Sequence, residues 1–484
     1  MPQAIIAVME TITESLTIWS GWLSGILWGP YTLAVLVITG IFLTWRHKFV
    51  QLRRVGHAVG ITAGRYSTGK AAGQISHFQA LSTALSATIG TGNIAGVATA
   101  IALGGPGAVF WMWVTAVLGM ATKFTSVTLA LRYREIDQDG RVAGGPMYTL
   151  RNGLKMPKLG ALFAVFTVLA SFGIGNMVQA NSVVDGLSYA LPDLLGHEAW
   201  VIAGTSISPP LLIGIVLAVA VGAVILGGIK EIAAVASVIV PFMAVTYCLT
   251  AATILVIHAA EIPAALATIF ELALNPSAAG GGAIAAAMRY GIARGVFSNE
   301  AGLGSSPIAH AAASTDEPVS EGLVAMLEPL IDTLIICTMT ALVIVISGQW
   351  GDALPEGLEG AALSAHAFSL TLGNTGSLIV GGSLTLFAFS TIIAWSYYGD
   401  RSASYLFGEI AVVPYRIIYV CLVVVGATIP LRLVWNLADI ANVLMIAPNL
   451  VVLWLMAGKV REMKDDYFRR MKIAKATGGA SLEA

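Results

Sequence analysis

Charge is what this sequence has least of. Of its 484 residues only 11% are charged and 57% are hydrophobic, against about 25% charged residues in ordinary soluble domains. That balance excludes a soluble globular fold and gives a polytopic, all-α membrane protein. Cysteine is almost absent: Cys248, Cys337 and Cys421 all lie in apolar segments, so neither a disulfide framework nor a cysteine metal cluster is expected. With a formal net charge of −1, no nucleic-acid partner is expected. The opening MPQAIIAVMETITESL lacks a basic stretch ahead of its apolar residues, so no cleaved signal peptide is expected. A Gly-rich phosphate loop followed by Lys-Ser/Thr is missing, and so is a His-Glu-x-x-His pattern. The seven histidines form no evident nucleophile–base or metal set. An integral membrane enzyme is therefore disfavoured, and no resident cofactor is expected.

Long apolar runs are abundant. A bilayer core of roughly 30 Å takes about 20 apolar residues per helix. Eleven segments qualify, near 24–45, 77–103, 108–132, 160–186, 209–228, 233–258, 283–313, 321–347, 375–399, 412–430 and 435–457. Two of them carry Gly-rich polar interruptions: Ile89-Gly90-Thr91-Gly92-Asn93 in the second, and Gly295-Val296-Phe297-Ser298-Asn299-Glu300-Ala301-Gly302 in the seventh. A helix broken at mid-membrane frees N–H and C=O groups, which lipid does not tolerate unless they line a cavity or bind something. The two breaks lie five helices apart. Because five is odd, a repeat of five helices must invert in the membrane, and inverted repeats with broken helices are a transporter plan.

The expected organisation is a leading helix with a basic loop (1–76), a first five-helix repeat (77–258), an extracellular loop (259–282), an inverted second repeat (283–458) and a basic tail (459–484). Lysine and arginine mark the orientation. Arg46, Lys48, Arg53, Arg54, Arg65 and Lys70 fill the 46–76 loop, and Arg132, Arg134, Arg141, Arg151, Lys155 and Lys158 fill the 132–159 loop. The tail holds Lys459, Arg461, Lys464, Arg469, Arg470, Lys472 and Lys475. The loops 187–208, 259–282 and 348–374 contain none, and Arg432 is the exception on that side. Positive-inside then places the N-terminus outside and the tail in the cytoplasm.

The run Gly104-Gly105-Pro106-Gly107-Ala108-Val109-Phe110-Trp111-Met112-Trp113 closely resembles the signature of the alanine or glycine:cation symporter family. Further co-linear blocks resemble that family: Ala143–Tyr148 (AGGPMY), Gly173–Gln179 (GIGNMVQ), Leu226–Lys230 (LGGIK), Arg294–Ser305 (RGVFSNEAGLGS) and Trp395–Gly399 (WSYYG). The signature itself reads physically as a tight turn followed by an interfacial aromatic belt.

The resemblance implies a LeuT-like 5+5 inverted repeat and import of alanine or glycine together with Na+. It also implies site residues. The substrate carboxylate falls to Gly90, Thr91 and Gly92 at a half-helix start. The ammonium falls to carbonyls around Thr88 and Ile89 and around Gly295–Phe297, and to Gln179, which reads equally well as a helix–helix hydrogen bond. By position, sodium falls to the carbonyls of Ser86, Ile89 and Phe387 and the hydroxyls of Ser390 and Thr391, although such hydroxyls also back-bond to their own helix. Phe297, with its neighbour Ser298, and Trp395 would bound the pocket and reject longer side chains.

Charged residues inside the membrane are costly and commonly functional. Asn93, Glu300, Glu328 and Asp332 are candidates for gating or ion coupling, with Glu328 and Asp332 expected on one helix face. Lys123 and Asp439 also lie in apolar segments. The plainer reading of these charges is structural pairing. A proton-driven transporter of the same fold is the nearest rival, and a channel gives no reason for two inverted breaks. The expected partners are alanine or glycine, Na+ and the lipid bilayer. The protein is expected to work as a monomer in the plasma (inner) membrane.

Overall fold

The computed structural model describes residues 2–66, 72–136, 142–195, 199–202, 205–274 and 276–476. Lys70, Arg141 and residues 477–484 lie outside these, as does the side chain of Lys475. The described chain is almost wholly helical. Its strands are two short antiparallel hairpins, Glu135–Ile136 with Val142–Ala143 and Trp200–Ile202 with Thr205–Ile207. Seven helices are long and apolar enough to cross a membrane, and two bent helix pairs raise that to as many as nine, among the described residues.

The leading element is longer than one crossing. A helix Pro2–Leu27 precedes Pro30–Arg46, and its part Ile12–Leu27 meets the second helix at 42°. The cause is Gly29-Pro30: the residue before proline is pushed out of the helical region, and Gly29 sits extended at φ −71°, ψ 175°. Proline also opens Pro157–Phe172, Pro209–Ile225 and Pro318–Ala325, where its missing N–H costs nothing.

The first broken helix starts with a capping box. The Ser76 side chain accepts from the Gln79 N–H, and the Gln79 side chain accepts from the Ser76 N–H. His77–Thr88 then ends, and the chain resumes after a 52° bend. It re-enters through a widened turn at Gly92–Gly96 before Val97–Gly104. Another widened turn, Gly173–Met177, interrupts the helix expected over 160–186, and Leu330–Cys337 interrupts the one expected over 321–347. Such turns occur frequently at functional sites.

The second break lies further along than the glycines suggest. Pro276–Asn299 is one continuous helix, so Gly295–Asn299 belong to its last turns. Gly295 serves packing instead: a Cβ there would collide with Thr115 and crowd Met112, as one at Gly291 would collide with Ala108 and crowd Trp111. These glycines let the helix lie close against Gly107–Arg132. The chain leaves the helix at Glu300, Gly302 and Gly304, which have φ of 55°, 97° and 85°. It resumes at Pro307–His310.

The segments expected as loops are also helical. Ile262–Leu274 forms a helix within 259–282, and Gly360–Leu372 forms one within 348–374. The latter enters the core, with Leu363 and Phe368 fully buried. The helix expected over 375–399 runs from Asn374 to Phe407. The last helix continues to Ala476. Its tail end is held by Lys464, whose Nζ donates to the His47 carbonyl at 2.9 Å, and by an Arg470–Glu317 ion pair.

Candidate functional site

The first break leaves a specific set of backbone groups free. Gly90 N–H donates to Asn93 Oδ1 at 2.9 Å and Asn93 N–H donates back to the Gly90 carbonyl at 3.3 Å, which holds the turn. Thr91 N–H donates to Gln179 Oε1 at 3.2 Å. The Gly92 N–H and the carbonyls of Ala87 and Thr88 have no hydrogen-bond partner among the described residues. The Thr91 hydroxyl is buried and equally unpartnered. Neighbouring helices take up the other carbonyls loosened by the widened turn: Thr340 donates to Asn93 O at 2.8 Å and Ser364 to Ile94 O at 2.9 Å.

The second break faces the first. A Cβ on Gly92 would stand 3.0 Å from the Ser298 Cα and 3.1 Å from its Oγ. Glu300 N–H closes onto the Val296 carbonyl at 2.8 Å. The carbonyls of Phe297, Ser298 and Asn299 therefore end the helix, and they accept no hydrogen bond from described residues. The free acceptors, Phe297 to Asn299, are shifted two residues along from the Gly295–Phe297 stretch expected from sequence, because the helix persists longer. Free N–H and hydroxyl groups on one break thus adjoin free carbonyls on both, in a region where every named residue is buried. Unpaired buried polar groups are costly, so this arrangement suits a small zwitterion.

Gln179 stands against the first break, with Oε1 accepting from Thr91 N–H and Nε2 donating to the Ile174 carbonyl at 2.9 Å. It is thus a bridge from the Gly173–Met177 turn to the first break. Replacing it with leucine keeps the volume and leaves the Thr91 N–H without its acceptor, at a cost of about 1–3 kcal/mol. Gln179→Leu is expected to weaken binding of a small zwitterion at this break roughly tenfold or more, read from ligand titration of the purified protein.

The five oxygens expected for sodium converge. Thr391 Oγ1 lies 2.9 Å from Ser86 O, 3.0 Å from Phe387 O and 3.4 Å from Ile89 O. Ser390 Oγ lies 2.9 Å from Phe387 O and 3.4 Å from Ser86 O. The back-bond of both hydroxyls to Phe387 is the one an isolated helix would make. The contacts to Ser86 and Ile89 are not, since they cross more than 300 residues of sequence. Hard oxygens gathered at a helix break are a fitting environment for a small cation.

Phe297 and Trp395 are both fixed, though not as free pocket caps. Phe297 stacks on Trp435 with centroids 4.7 Å apart, and the Arg294 guanidinium lies over both rings. Trp395 is fully buried against Gly175, where a Cβ would collide with the indole. Its Nε1 donates to Glu300 Oε1 at 2.7 Å. Glu300 accepts from Trp395 and from Ser305 Oγ at 2.5 Å. Those two donors hold a non-glycine residue at positive φ, a conformation that costs of order 1–2 kcal/mol.

Glu328 and Asp332 do not act as a pair. Pro329 and the widened turn Leu330–Cys337 separate them. Asp332 accepts from Asn93 Nδ2 at 2.7 Å, Ser298 Oγ at 2.9 Å and Thr333 Oγ1 at 2.7 Å, with no cationic side chain bonded to it among the described residues. Asp332 thereby joins both breaks. Glu328 binds Lys123 at 2.8 Å and His310 at 2.9 Å. Asp439 pairs with Arg294 at 2.9 Å. Thr88 turns its hydroxyl back to Ala84 O and Leu85 O, at 3.2 and 3.3 Å. The bonds of Ser298 to Asp332, and the cluster around His310, escaped the sequence reading because their members lie far apart in the chain.

Residues 13–478 match the Sodium:alanine symporter family. The chain is 49% identical over 437 residues to the Sodium/alanine symporter AgcS of Methanococcus maripaludis, covering 90% of this chain and 93% of that protein. It is 38% identical over 470 residues to the Probable sodium/glutamine symporter GlnT of Bacillus subtilis, covering 96% and 93%. It is 34% identical to the Putative sodium/proton-dependent alanine carrier protein YrbD of Bacillus subtilis, covering 93% and 92%. Among solved structures, the crystal structure of MhsT in complex with L-phenylalanine is similar in fold, with a TM-score of 0.57 at 16% identity over 80% of this chain and 90% of that one.

Proposed function

This chain belongs to the sodium:alanine symporter family and is a multi-pass membrane transporter rather than an enzyme; from that premise we propose that it imports alanine, and glycine with it, by sodium-coupled alternating access. The observation that carries the reading is the matched set of free groups at the two breaks. The Gly92 N–H, at a half-helix start with its positive dipole end, and the Thr91 hydroxyl receive the substrate carboxylate. The carbonyls of Ala87, Thr88, Phe297 and Ser298 receive the ammonium. Sodium binds among Ser86, Ile89, Phe387, Ser390 and Thr391. Trp395 and Phe297, each locked by its neighbours, form walls that exclude long side chains.

The same reading gives eleven crossings in a 5+5 inverted repeat. Pro209–Ile225 and Pro276–Asn299 add two to the nine spans found by length and composition. The positive-inside count then sets the tail in the cytoplasm of a cell whose plasma (inner) membrane holds the protein as a monomer. Inward movement of one sodium gains about 2.3 kcal/mol per 100 mV, enough for a few tens-fold accumulation before its chemical gradient is added.

One observation favours a second coupling ion. A buried carboxylate without a cationic partner is costly unless it binds a cation or a proton, and Asp332 is such a group at the joint of both breaks. We assign it the second cation. Asp332→Asn is expected to lower the cooperativity of sodium activation toward a single ion. If the variant instead keeps its sodium cooperativity and loses its response to an imposed pH gradient, Asp332 carries a proton and the proton-coupled alternative gains. The test of the whole reading is labelled alanine uptake into proteoliposomes under inward sodium, potassium or pH gradients. Accumulation driven by sodium alone supports it, and no accumulation of alanine or glycine under any gradient refutes it.

A further inference from the structure

The end of the bundle at which the first broken helix starts holds a closed chain of buried charged groups. His77, at that helix's first position, contacts Glu321 Oε2 through Nδ1. The other Glu321 oxygen lies 2.5 Å from His310 Nδ1. His310 Nε2 lies 2.9 Å from Glu328 Oε1. Glu328 Oε2 lies 2.8 Å from Lys123 Nζ, and Lys123 also donates to Ser306 Oγ at 2.7 Å. The side chains of His310, Glu321 and Glu328 are 0% exposed and that of Lys123 is 2% exposed.

Both ring nitrogens of His310 therefore face carboxylate oxygens. Each of those contacts needs a proton between its atoms, because a bare imidazole nitrogen and a carboxylate oxygen are both acceptors. A neutral imidazole carries one such proton and this geometry requires two. The surrounding charges favour the second proton: the buried carboxylates Glu321 and Glu328 both face His310, and the buried Glu300 lies within electrostatic reach of Lys123 and Glu328, so a positive charge on His310 lowers the cost of burying them. Of the other charged groups at this end, Arg134 is occupied with the carbonyls of Ala311, Ala313 and Thr315 and lies within electrostatic reach of Asp316 and Glu321, and Glu317 pairs with Arg470.

We propose that this cluster is a proton-binding site, with the bound proton held by His310 as an imidazolium clamped between Glu321 and Glu328. Its position gives it work to do. Glu321 alone joins the start of the first broken helix, through His77, to the chain just past the second break, through His310. The backbone runs in parallel, with Gln74 N–H donating to Ala312 O at 2.8 Å and Ser314 N–H to Ile75 O at 2.7 Å. The proton thus ties the same-side ends of both broken helices together, and that end opens only by parting the cluster. His310 is a positioning residue: it touches no group assigned to the substrate or to sodium.

The test has a spectroscopic and a functional arm. In detergent-solubilised protein labelled with 15N-histidine, the signals lost in His310→Gln identify His310. Both of its ring nitrogens are expected in the protonated range across the pH interval in which the protein transports. One unprotonated nitrogen there overturns the proposal. In proteoliposomes, His310→Gln leaves the two carboxylates facing one another with a net negative charge, and sodium-driven alanine uptake is expected to fall roughly tenfold or more. Adding Glu321→Gln removes one of the two facing negative charges, so the double variant is expected to recover much of that loss. A double variant no better than the single, or a single variant equal to the wild type, also overturns it. If His310→Gln does not fold, the assignment is made by elimination from single Gln variants of the other six histidines, and the resonance of the wild-type protein decides.

Discussion

Thr391→Ala is expected to raise the sodium concentration for half-maximal alanine uptake by roughly tenfold or more. The hydroxyl stands within 3.4 Å of the carbonyls of Ser86, Phe387 and Ile89, and a polar contact to a charged group is worth about 1.5–3 kcal/mol; 1.4 kcal/mol is a factor of ten. The effect should fall on sodium alone, so that saturating sodium returns the alanine KM close to its original value. Thr391→Ser, which keeps the oxygen, should behave nearly as the wild type. Sodium activation curves for the three proteins decide the matter. An unchanged curve for Thr391→Ala would mean that the hydroxyl only back-bonds to Phe387 and that the cation binds elsewhere.

Gly90→Ala is expected to damage both affinities at once. The added methyl group would stand 2.5 Å from Thr391 Oγ1 and 3.0 Å from Gln179 Oε1. The first atom belongs to the proposed sodium group and the second accepts from the Thr91 N–H. Neither can retreat freely, since Thr391 is on a buried helix and Gln179 is tied to Ile174. Overpacking of this kind costs about 1–3 kcal/mol. The alanine KM and the half-saturating sodium concentration should both rise, with the fold monitored by thermal melting. Gly382→Ala is the control: it lies on the same helix as Thr391, and its Cβ would meet nothing within 4 Å. A Gly90→Ala protein that loses affinity for one ligand only would separate two sites that the structure joins.

How far the sequence reveals this depends on what each residue's signal reports. The first break is legible because Gly90, Thr91, Gly92 and Asn93 follow one another in an apolar run, and both glycines stand where a Cβ would press on a polar neighbour, Thr391 and Gln179 for Gly90 and Ser298 for Gly92. The second break is displaced because glycine has two uses. At 291 and 295 it allows close helix packing, and only at 302 and 304 does it supply a positive φ. Hydrophobic periodicity does not distinguish these. The grouping of Ser390 and Thr391 with Ser86 comes from family resemblance, since an adjacent hydroxyl pair alone has a sufficient local explanation. Glu328 and Asp332 look like one face at a spacing of four, but the wide turn after Pro329 sends them to different partners. The His310 cluster leaves no local pattern, because Lys123 and His77 meet their carboxylates across 205 and 244 residues.

The central claim is that sodium and a small neutral amino acid move together through one site, and linkage makes that claim testable from the sodium side. If alanine and sodium bind cooperatively, each must raise the other's affinity by the same factor. The most direct measurement is the flux of radiolabelled sodium into proteoliposomes driven solely by an inward gradient of unlabelled alanine. The account predicts sodium entry that requires alanine, occurs in fixed proportion to it, and is lost in Thr391→Ala at low sodium. Alanine entry with no accompanying sodium, at any membrane potential, would contradict it.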